Sequence, residues 1–252
     1  MLGIVKRILG AWKTIIKKTD DFQGFVQFPE NCPVCGASSF KRNAILWDSL
    51  VKEWKLTPQQ RNYVDDQQGL SCDSCTSNLR SMTLASAILS RFKTTDTFAD
   101  YCTSDTKFRD LRVLEINEAG TLTSYLRKLP KHFLAAYPEY DMQHLGFPDS
   151  SFDLVIHSDT LEHIPNSVIA LQECRRVLAP KGFLAYTIPI IPDRLTRSRK
   201  GLSPSYHGNE VDKHLVYREY GGDFWHELFE AGFRNVHIHN IIYPASMAVI
   251  AE

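Results

Sequence analysis

From residue 111 to residue 189, short apolar segments of strand length alternate with segments of helical periodicity. The helical segment 166–178 carries Val168, Leu171 and Leu178 on one stripe. Strands that alternate with helices pair in parallel and are covered by helices on both faces. The pattern therefore predicts an α/β fold built on a parallel sheet. The predicted strands are 111–116, 132–137, 152–157 and 182–189.

The C-terminal tail is predicted to close this sheet. Residues 223–233 have helical periodicity, and two apolar runs, 234–242 and 246–252, follow and are joined through Tyr243 and Pro244. Two strands separated by a short turn pair antiparallel. We therefore expect a hairpin-like pair at one edge of the sheet.

Four of the six cysteines occur as two CxxC pairs, Cys32 with Cys35 and Cys72 with Cys75. Two-residue spacing lets both thiolates of a tight turn face one metal ion, and four such sulfurs make a tetrahedral structural zinc site. The gap between the pairs is longer than the roughly 15 to 20 residues of a compact zinc ribbon. Within it, the segment 48–64 predicts a short inserted helix.

Structural disulfides and a redox dithiol are the competing interpretations of these cysteines. The chain lacks the apolar core and cleavage site of a secretory signal, which disfavours disulfides, and two CxxC pairs exceed what one redox motif needs. The sequence therefore favours Zn²⁺ as a structural cofactor. Cys102 and Cys174 stand alone and are interpreted as core residues.

Residues 1–28 are predicted to form a basic amphipathic N-terminal helix. Ile4, Ile8 and Ile15 fall near helical spacing among several Lys and Arg residues. Such a helix can lie on an anionic membrane surface, so residues 1–18 are a candidate for peripheral membrane contact, and packing on protein is the alternative. Because no apolar run reaches the roughly 18 residues of a bilayer span, the predicted location is the cytoplasm, with membrane association as a variant.

The overall charge disfavours nucleic acid as a partner. Lys and Arg total 29, as do Asp and Glu, which gives a net charge of +0. Proteins that bind phosphate backbones carry an excess of positive charge or a basic stripe. A small-molecule or glycan partner is therefore favoured.

Three blocks of the chain resemble the class I S-adenosylmethionine-dependent methyltransferases, in particular the methyltransferase-11 group. They are VLEINEAG at 113–120, the segment 141–164 that ends in SDTLEHI, and ALQECRRVLAPKGFLAYTIP at 170–189. The resemblance implies a doubly wound, Rossmann-like sheet of seven strands whose last strand is antiparallel, preceded here by a small zinc module. It also implies S-adenosylmethionine as cofactor.

The resemblance further implies which residues would hold this cofactor. The acidic residue near the end of the first strand anchors the methionine end of the cofactor directly or through ordered groups, the following loop approaches the cofactor closely, and a later acidic residue with its neighbour recognises the adenine. Transferred to this chain, the cofactor-binding residues are Glu115, Asn117, Gly120, Tyr137, Asp141, Met142, His157, Ser158 and Thr160.

Two departures from the family pattern are visible in the sequence. Asn117 and Ala119 stand where glycines are usual, although Asn is the residue besides Gly that best tolerates a positive φ. The carboxylate that usually accepts hydrogen bonds from the ribose is missing after the second strand, where Ala136 and Tyr137 stand instead. The second and third strands are also compressed into one short segment.

The candidate catalytic bases are His207 and Asp159. His207 lies in a polar insertion, 192–216, that follows the strand ending in YTIP and is predicted to cover the acceptor pocket. Four cations in the insertion suggest an anionic acceptor such as a sugar phosphate, and a solvated basic loop is the alternative. These cations are Arg194, Arg197, Arg199 and Lys200.

Together these observations predict a zinc-containing methyltransferase that acts on a small-molecule or glycan-type acceptor. Two alternatives stay open: an RNA methyltransferase whose zinc module holds RNA, and a non-catalytic scaffold that keeps the fold. The predicted division is an N-terminal helix at 1–28, a four-cysteine zinc module with a connecting helix at 29–95, and a methyltransferase domain at 96–252.

Overall fold

A computed structural model describes residues 29–208 and 213–252 of the 252-residue chain. The predicted N-terminal amphipathic helix at 1–28 lies outside the described residues. Within the two described ranges, no helix has both the length and the apolar character that crossing a bilayer requires.

The helices of the described residues are α1 Asp48–Glu53, α2 Pro58–Gly69, α3 Leu79–Phe92, α4 Phe98–Ser104, α5 Thr106–Arg109, α6 Thr123–Leu126, α7 Ser167–Val177 and α8 His226–Glu230. The strands are β1 Phe40–Arg42, β2 Leu70–Cys72, β3 Val113–Ile116, β4 His132–Ala135, β5 Phe152–Ser158, β6 Leu178–Thr187, β7 Ile190–Ile191, β8 Arg197–Ser198, β9 Tyr206–Gly208, β10 Lys213–Leu215, β11 Arg218–Gly221, β12 Val236–His239 and β13 Ala248–Ala251.

The central sheet has the strand order β12-β13-β6-β5-β3-β4. Strands β4, β3, β5 and β6 are mutually parallel, and β13 pairs antiparallel with both β12 and β6. The predicted parallel sheet and the antiparallel closing strand are therefore both present. The order of strands reverses around β3, because the chain leaves β3 toward β4 and then returns to β5 on its other side.

The prediction of seven strands is wrong for the described residues, because this sheet contains six. Between β4 and β5 the chain makes only an isolated bridge from Asp141 to His144. Pro138, Gly146 and Pro148 interrupt this segment, and proline cannot donate to a strand ladder. The short segment in which the sequence compresses the second and third strands therefore forms one strand, β4, in place of two.

Side chains of the parallel strands alternate between two apolar clusters, one on each face of the sheet. Val113, Leu154 and Phe183 point into a cluster that includes α3 and α4. Leu114 and Val155 point into the opposite cluster, which includes α7 and α8. Because successive side chains of a strand lie on opposite faces, a sheet covered by helices on both sides needs apolar residues at nearly every position. The apolar clusters on both faces of the sheet therefore account for the doubly wound arrangement, in which helices cover both sides.

The cysteine segment packs into the first of these clusters. Cys32, Val34 and Cys72 are buried in the same cluster as Val113 and Leu154 of the sheet. The apolar core is therefore continuous across residue 95, where the sequence analysis places a domain boundary. The predicted domain boundary stays a prediction, and the apolar contacts of this cluster extend across it.

The insert between the two CxxC pairs forms two helices, whereas the sequence analysis predicts one. The break follows α1, where Lys55 adopts a left-handed φ of 50°. Thr57 then caps α2 in a reciprocal arrangement with Gln60, and Pro58 occupies the first turn. The break turns α2 back toward the sheet, where the Gln67 side chain donates to the Ile190 carbonyl at 2.9 Å.

Candidate functional site

A cavity of 980 Å³ lies beyond the carboxyl ends of the parallel strands. Its floor comes from the residues that follow β3, β4, β5 and β6, at the place where the order of strands reverses. Ligands of open parallel sheets bind in such a crevice. One side of the cavity is closed by α1 and α2 of the cysteine segment, and another by the β9–β10 hairpin.

Glu115 lies behind the cavity rather than on its wall. The side chain is fully buried, and its carboxylate accepts hydrogen bonds from the Ala119 backbone N–H at 2.8 Å and from the Thr123 hydroxyl. His132 of β4 contacts its second oxygen at 2.7 Å. With both oxygens engaged, the carboxylate fixes the loop after β3. Its predicted anchoring of the cofactor, directly or through ordered groups, stays a prediction, and these hydrogen bonds favour the indirect route.

The loop after β3 keeps its sharp turn without the usual glycines. Asn117 adopts a left-handed φ of 51° and lines the cavity, as its tolerance of that region predicts. Its side-chain oxygen accepts a hydrogen bond from the Tyr137 backbone N–H at 3.0 Å, which ties the loops after β3 and β4 together. Gly120 has a φ of 60° but does not line the cavity. A side chain there would meet the Ser81 hydroxyl of α3 at 2.8 Å.

Asp141 and Met142 line the cavity as the resemblance implies. Asp141 is exposed, and its carboxylate accepts from the Gln143 backbone N–H at 2.8 Å, which orients it. Tyr137 also lies on the wall, with 73% of its surface exposed. The chain thus presents an available carboxylate where an adenine amine would be recognised.

Glu118 is a cavity carboxylate that the sequence analysis misses. It is exposed and forms a surface ion pair with Arg127 at 3.0 Å, a kind of pair that contributes little to stability. It lies in the loop after β3, next to Asn117. Its place beside Asn117 is the only signal in the sequence that indicates its role. A search for a carboxylate after β4 misses it, because Glu118 follows β3.

Of the three residues expected after β5, Ser158 and Thr160 line the cavity and His157 does not. The Ser158 hydroxyl hydrogen-bonds to that of Thr187 at 2.8 Å. His157 is fully buried and stacks on Tyr186 at 4.7 Å between ring centroids, and burial lowers the pKa of His157 to about 3. The prediction that His157 flanks the cofactor is therefore corrected, because its ring belongs to the core.

Asp159 lies on the cavity wall with a left-handed φ of 49°. Its carboxylate forms an ion pair with Arg80 of α3 and accepts a hydrogen bond from Gln68 of α2 at 3.3 Å. Both carboxylate oxygens of Asp159 are thus engaged by side chains of residues 29–95. Its role as a catalytic base stays a prediction, and the observed contacts join the sheet to the cysteine segment.

His207 projects from β9 into the cavity. Its ring lies 5.4 Å from the ring of Trp54 and 5.4 Å from that of His163, centroid to centroid. Burial, together with nearby His163 and Arg80, lowers the pKa of His207 to about 3, so that its imidazole is neutral at pH 7. Such a ring holds a proton weakly, which makes it a poor general base near pH 7. The position of His207 on the cavity wall agrees with the predicted catalytic role, but its lowered pKa argues against a role as a general base.

The apolar wall of the cavity comes from the insert between the CxxC pairs. Trp47, Leu50 and Trp54 line the cavity from α1 and its flanks. The indole N–H of Trp54 donates to the Ser205 hydroxyl at 3.0 Å, which fixes the ring against the β9–β10 hairpin. The helical spacing of these residues is visible in the sequence, but nothing there indicates that their stripe faces the strand edge.

The arginines of the insertion hold the fold together and do not line the cavity. Arg194 donates to the Trp54 and Lys55 carbonyls, and Arg197 pairs with Glu219 of β11. Arg199 is buried between Glu219 and Glu53 of α1. The observed contacts do not support a grip on an anionic acceptor by these three residues, and a solvated loop is wrong for the buried Arg199, whereas the Arg197 side chain is 50% exposed. Lys200 is exposed and is also absent from the cavity wall.

The four CxxC cysteines converge on one point. The Sγ atoms of Cys32 and Cys75 are 3.7 Å apart, those of Cys35 and Cys72 are 3.6 Å apart, and all four lie within 4.8 Å of one another. Four sulfurs at about 2.3 Å from one zinc ion would be about 3.8 Å apart. The donor set therefore fits a tetrahedral ion.

The two cysteine turns have the same local shape. The residues after each pair, Gly36 and Thr76, have left-handed φ values of 80° and 60°. Each backbone N–H donates to the carbonyl of the first cysteine of its pair, Cys32 at 2.7 Å and Cys72 at 3.0 Å. These turns aim both thiols of a pair in one direction, as the spacing predicts.

Comparison with known proteins finds a similarity over the central part of the chain. Residues 99–186 match the model of the methyltransferase-11 family, a methyltransferase domain. A probable S-adenosylmethionine-dependent methyltransferase of Mycolicibacterium smegmatis is 38% identical over 89 residues, which are 32% of this chain and 33% of that protein. The chain thus spans about a third of the length of this curated relative. Residues 99–186 are therefore similar to S-adenosylmethionine-dependent methyltransferase domains.

Solved structures with related folds have low TM-scores against this chain. The PH0226 protein of Pyrococcus horikoshii has a TM-score of 0.42 at 14% identity and covers 68% of this chain and 87% of its own. An S-adenosylmethionine-dependent methyltransferase of Mesorhizobium loti has a TM-score of 0.35 at 13% identity and covers 56% and 89%. At TM-scores this low, neither likeness bears on function.

The different surroundings of Glu115 and Asp141 generate a testable contrast. Glu115→Ala removes the acceptor of several buried hydrogen bonds, so we expect the free energy of unfolding to fall by about 1 to 3 kcal/mol and the affinity for S-adenosylhomocysteine to fall with it. Asp141→Ala should weaken the affinity by about 1 to 3 kcal/mol while the free energy of unfolding changes by less than about 0.5 kcal/mol. Urea unfolding and calorimetry measure both. An unchanged stability of Glu115→Ala would contradict the positioning role.

Proposed function

We propose that the chain transfers a methyl group from S-adenosylmethionine to a small-molecule or glycan-type acceptor. The observation that carries this proposal is the cavity at the carboxyl edge of the parallel strands, within a domain that matches the methyltransferase-11 family. The cofactor would occupy the part of the cavity lined by Asn117, Tyr137 and Asp141, and the acceptor the part lined by Trp54 and His207.

The charge of the cavity supports a cationic cofactor. Glu118 and Asp141 line the part of the cavity assigned to the cofactor, and among the described lining residues of the cavity there is no Lys or Arg. S-adenosylmethionine carries a sulfonium and an ammonium group, both of which are favoured beside carboxylates. The same charge disfavours an acceptor that is anionic, and it also disfavours RNA, whose phosphates need cationic partners. We therefore replace the expected anionic acceptor with a neutral or positively charged one.

Methyl transfer from a sulfonium needs mainly proximity and alignment. A lone pair of the acceptor forms a bond to the methyl carbon as the carbon–sulfur bond breaks, and S-adenosylhomocysteine leaves as a neutral thioether. An acceptor hydroxyl or amine also releases a proton, for which Asp159 and His207 are the candidate bases. The tryptophan-lined wall would hold the apolar face of an acceptor and exclude water.

Glu118 is the best candidate for the missing ribose carboxylate. It reaches the cavity from the loop after β3, whereas Glu139, which follows β4, is exposed and does not line the cavity. A carboxylate that accepts from the ribose hydroxyls makes charge-assisted hydrogen bonds, which are stronger than neutral ones.

The proposal is tested by calorimetric titration of the full chain with S-adenosylhomocysteine. We expect one site per chain, and Glu118→Gln should weaken binding by about tenfold or more, since a hydrogen bond to a charged group contributes about 1.5 to 3 kcal/mol. Glu139→Gln is the matched control and should leave the affinity within about twofold. Absence of binding to the wild-type chain would reject the enzyme and favour a scaffold.

The four cysteines would hold a structural zinc ion. The free thiols, their shared centre and the paired turns support this assignment over a disulfide. Cys32 and Cys72 are buried in the main apolar cluster, and α3, which follows the second pair, supplies Arg80 to Asp159. Zinc would therefore stabilise one wall of the cavity as well as its own turns.

Removal of one thiolate tests this role. Cys72→Ser should lower the zinc content by one ion per chain, decrease the free energy of unfolding and weaken binding of S-adenosylhomocysteine, because folding of the segment and metal binding are linked. Cys102→Ser alters a buried cysteine outside the four-cysteine group and should keep the zinc content of the wild type. Elemental analysis and calorimetry measure these effects. Equal zinc in Cys72→Ser and the wild type would contradict the assignment.

A further inference from the structure

A second group of metal-ligating side chains lies in the cavity, away from the cysteines. Glu162, His163 and His207 each offer one ligand atom, and these atoms all lie within 4.8 Å of one another. Glu162 and His163 belong to the 3-10 turn Leu161–His163 that follows β5, and His207 comes from β9. Residues far apart in the chain thus meet at one point of the cavity wall.

Glu162 is buried, and its side chain is 3% exposed. Among the residues that the structure describes, neither of its carboxylate oxygens has a hydrogen-bond partner. Burying an ionised carboxylate without partners is costly unless a cation or a proton accompanies it. The charge of the buried Arg80 guanidinium also acts on Glu162, but its ion pair is with Asp159. The carboxylate therefore has open coordination capacity where the cavity meets the turn.

His163 is oriented to present a nitrogen toward that carboxylate. Its Nδ1 donates to the Leu215 carbonyl at 2.9 Å, which leaves Nε2 as the atom that faces Glu162, 3.5 Å from a carboxylate oxygen. A hydrogen bond from one ring nitrogen to a backbone carbonyl is the usual way in which a metal-binding histidine is fixed. The Leu215 contact therefore selects the tautomer that a metal ligand needs.

His207 is the third member of the group. Its ring stands edge-on to that of His163 and packs against Trp54, which is itself fixed by Ser205. Two ligands at about 2.1 Å from one ion lie at most about 4.2 Å apart, so a small side-chain rotation brings the three atoms into coordination distance. The cavity lies on the remaining side of the group.

We propose that Glu162, His163 and His207 bind one divalent first-row transition-metal ion in the cavity. Two imidazole nitrogens and one carboxylate oxygen suit Zn²⁺, Mn²⁺, Fe²⁺ or Co²⁺, whereas Mg²⁺ and Ca²⁺ prefer oxygen ligands alone. This set differs in kind from the four thiolates, which leave no open position. Three protein ligands leave coordination positions that face the cavity.

The open positions give the ion a role that rests on the proposed methyl transfer. An acceptor hydroxyl bound to the ion would be held near the cofactor and would lose its proton more easily than the free hydroxyl. The acceptor would then carry an oxygen or nitrogen that can bind a metal. His207 would act as a ligand and not as the base.

Binding of Co²⁺ to the full chain tests the site. The protein is first dialysed against citrate, which competes for metal held by nitrogen and oxygen, and elemental analysis confirms that the thiolate-bound zinc is retained. Calorimetry should then show one Co²⁺ per chain, with visible absorption but without the sulfur-to-metal charge-transfer bands of a thiolate site. The wild-type chain is compared with Glu162→Gln and His207→Ala.

Each of these variants should weaken Co²⁺ binding by at least about tenfold. His214→Ala is the matched control, since its ring lies 5.6 Å from that of His163 but outside the group, and it should change the affinity by less than about threefold. Thermal unfolding checks that each variant is folded, and if Glu162→Gln is not, the comparison of His207→Ala with His214→Ala decides. Equal Co²⁺ affinity in His207→Ala and the wild type would overturn the proposal, as would no binding to the wild type.

The titration with S-adenosylhomocysteine separates this inference from the proposed function. Cofactor binding without Co²⁺ binding would overturn the metal site and leave the methyltransferase proposal intact. In that case Glu162 and His163 would share a proton in place of the ion. Co²⁺ binding without cofactor binding would support the metal site and reject the methyl-transfer role.

Discussion

The ion pair between Arg80 and Asp159 joins the two parts of the chain that build the cavity. Arg80 lies on α3 directly after the second cysteine pair, and Asp159 follows β5 at the carboxyl edge of the sheet. Burial lowers the pKa of Arg80 to about 9, which leaves it charged at pH 7. Breaking a buried pair by removing one partner leaves an uncompensated charge, which is strongly destabilising. The pair therefore fixes the cysteine segment to the strand edge.

Other contacts extend this connection around the cavity. Gln67 of α2 exchanges hydrogen bonds with the backbone of Ile190, and Arg194 donates to the two carbonyls that follow α1. Leu50 of α1 and Trp54 directly after it form a small apolar cluster with Ile191 and with Val216 of the insertion. The cysteine segment is thus part of the site, since its helices supply the wall that faces the strand ends. A metal that stabilises this segment would also stabilise the cavity.

Local sequence patterns predicted the elements that depend on local rules. The apolar runs of β3, β5 and β6, which alternate with helical segments, indicated a doubly covered sheet, the CxxC spacing indicated a shared cysteine centre, and Asn117 took the left-handed conformation that its side chain tolerates. The prediction of a seventh strand was wrong for a reason that the sequence contains, because Pro138 and Gly146 interrupt the segment where this strand would form.

Features that depend on long-range packing were not predictable in this way. His157 and Ser158 are neighbours in a strand, so their side chains point to opposite faces, and the resemblance did not say which one meets the cavity. The insertion arginines could be assigned only when Glu219 and Glu53 appeared beside them. Glu162 was overlooked because its burial without a hydrogen bond is a property of the folded structure.

The cysteine segment and the strand edge form one cavity, and hydrogen–deuterium exchange of the full chain with and without S-adenosylhomocysteine tests whether they bind ligand together. We expect slower exchange after ligand binding in the loops after β3 and β5 and also in α1 and α2, between the cysteine pairs. Protection confined to the strand edge, with exchange in α1 and α2 unchanged, would contradict it.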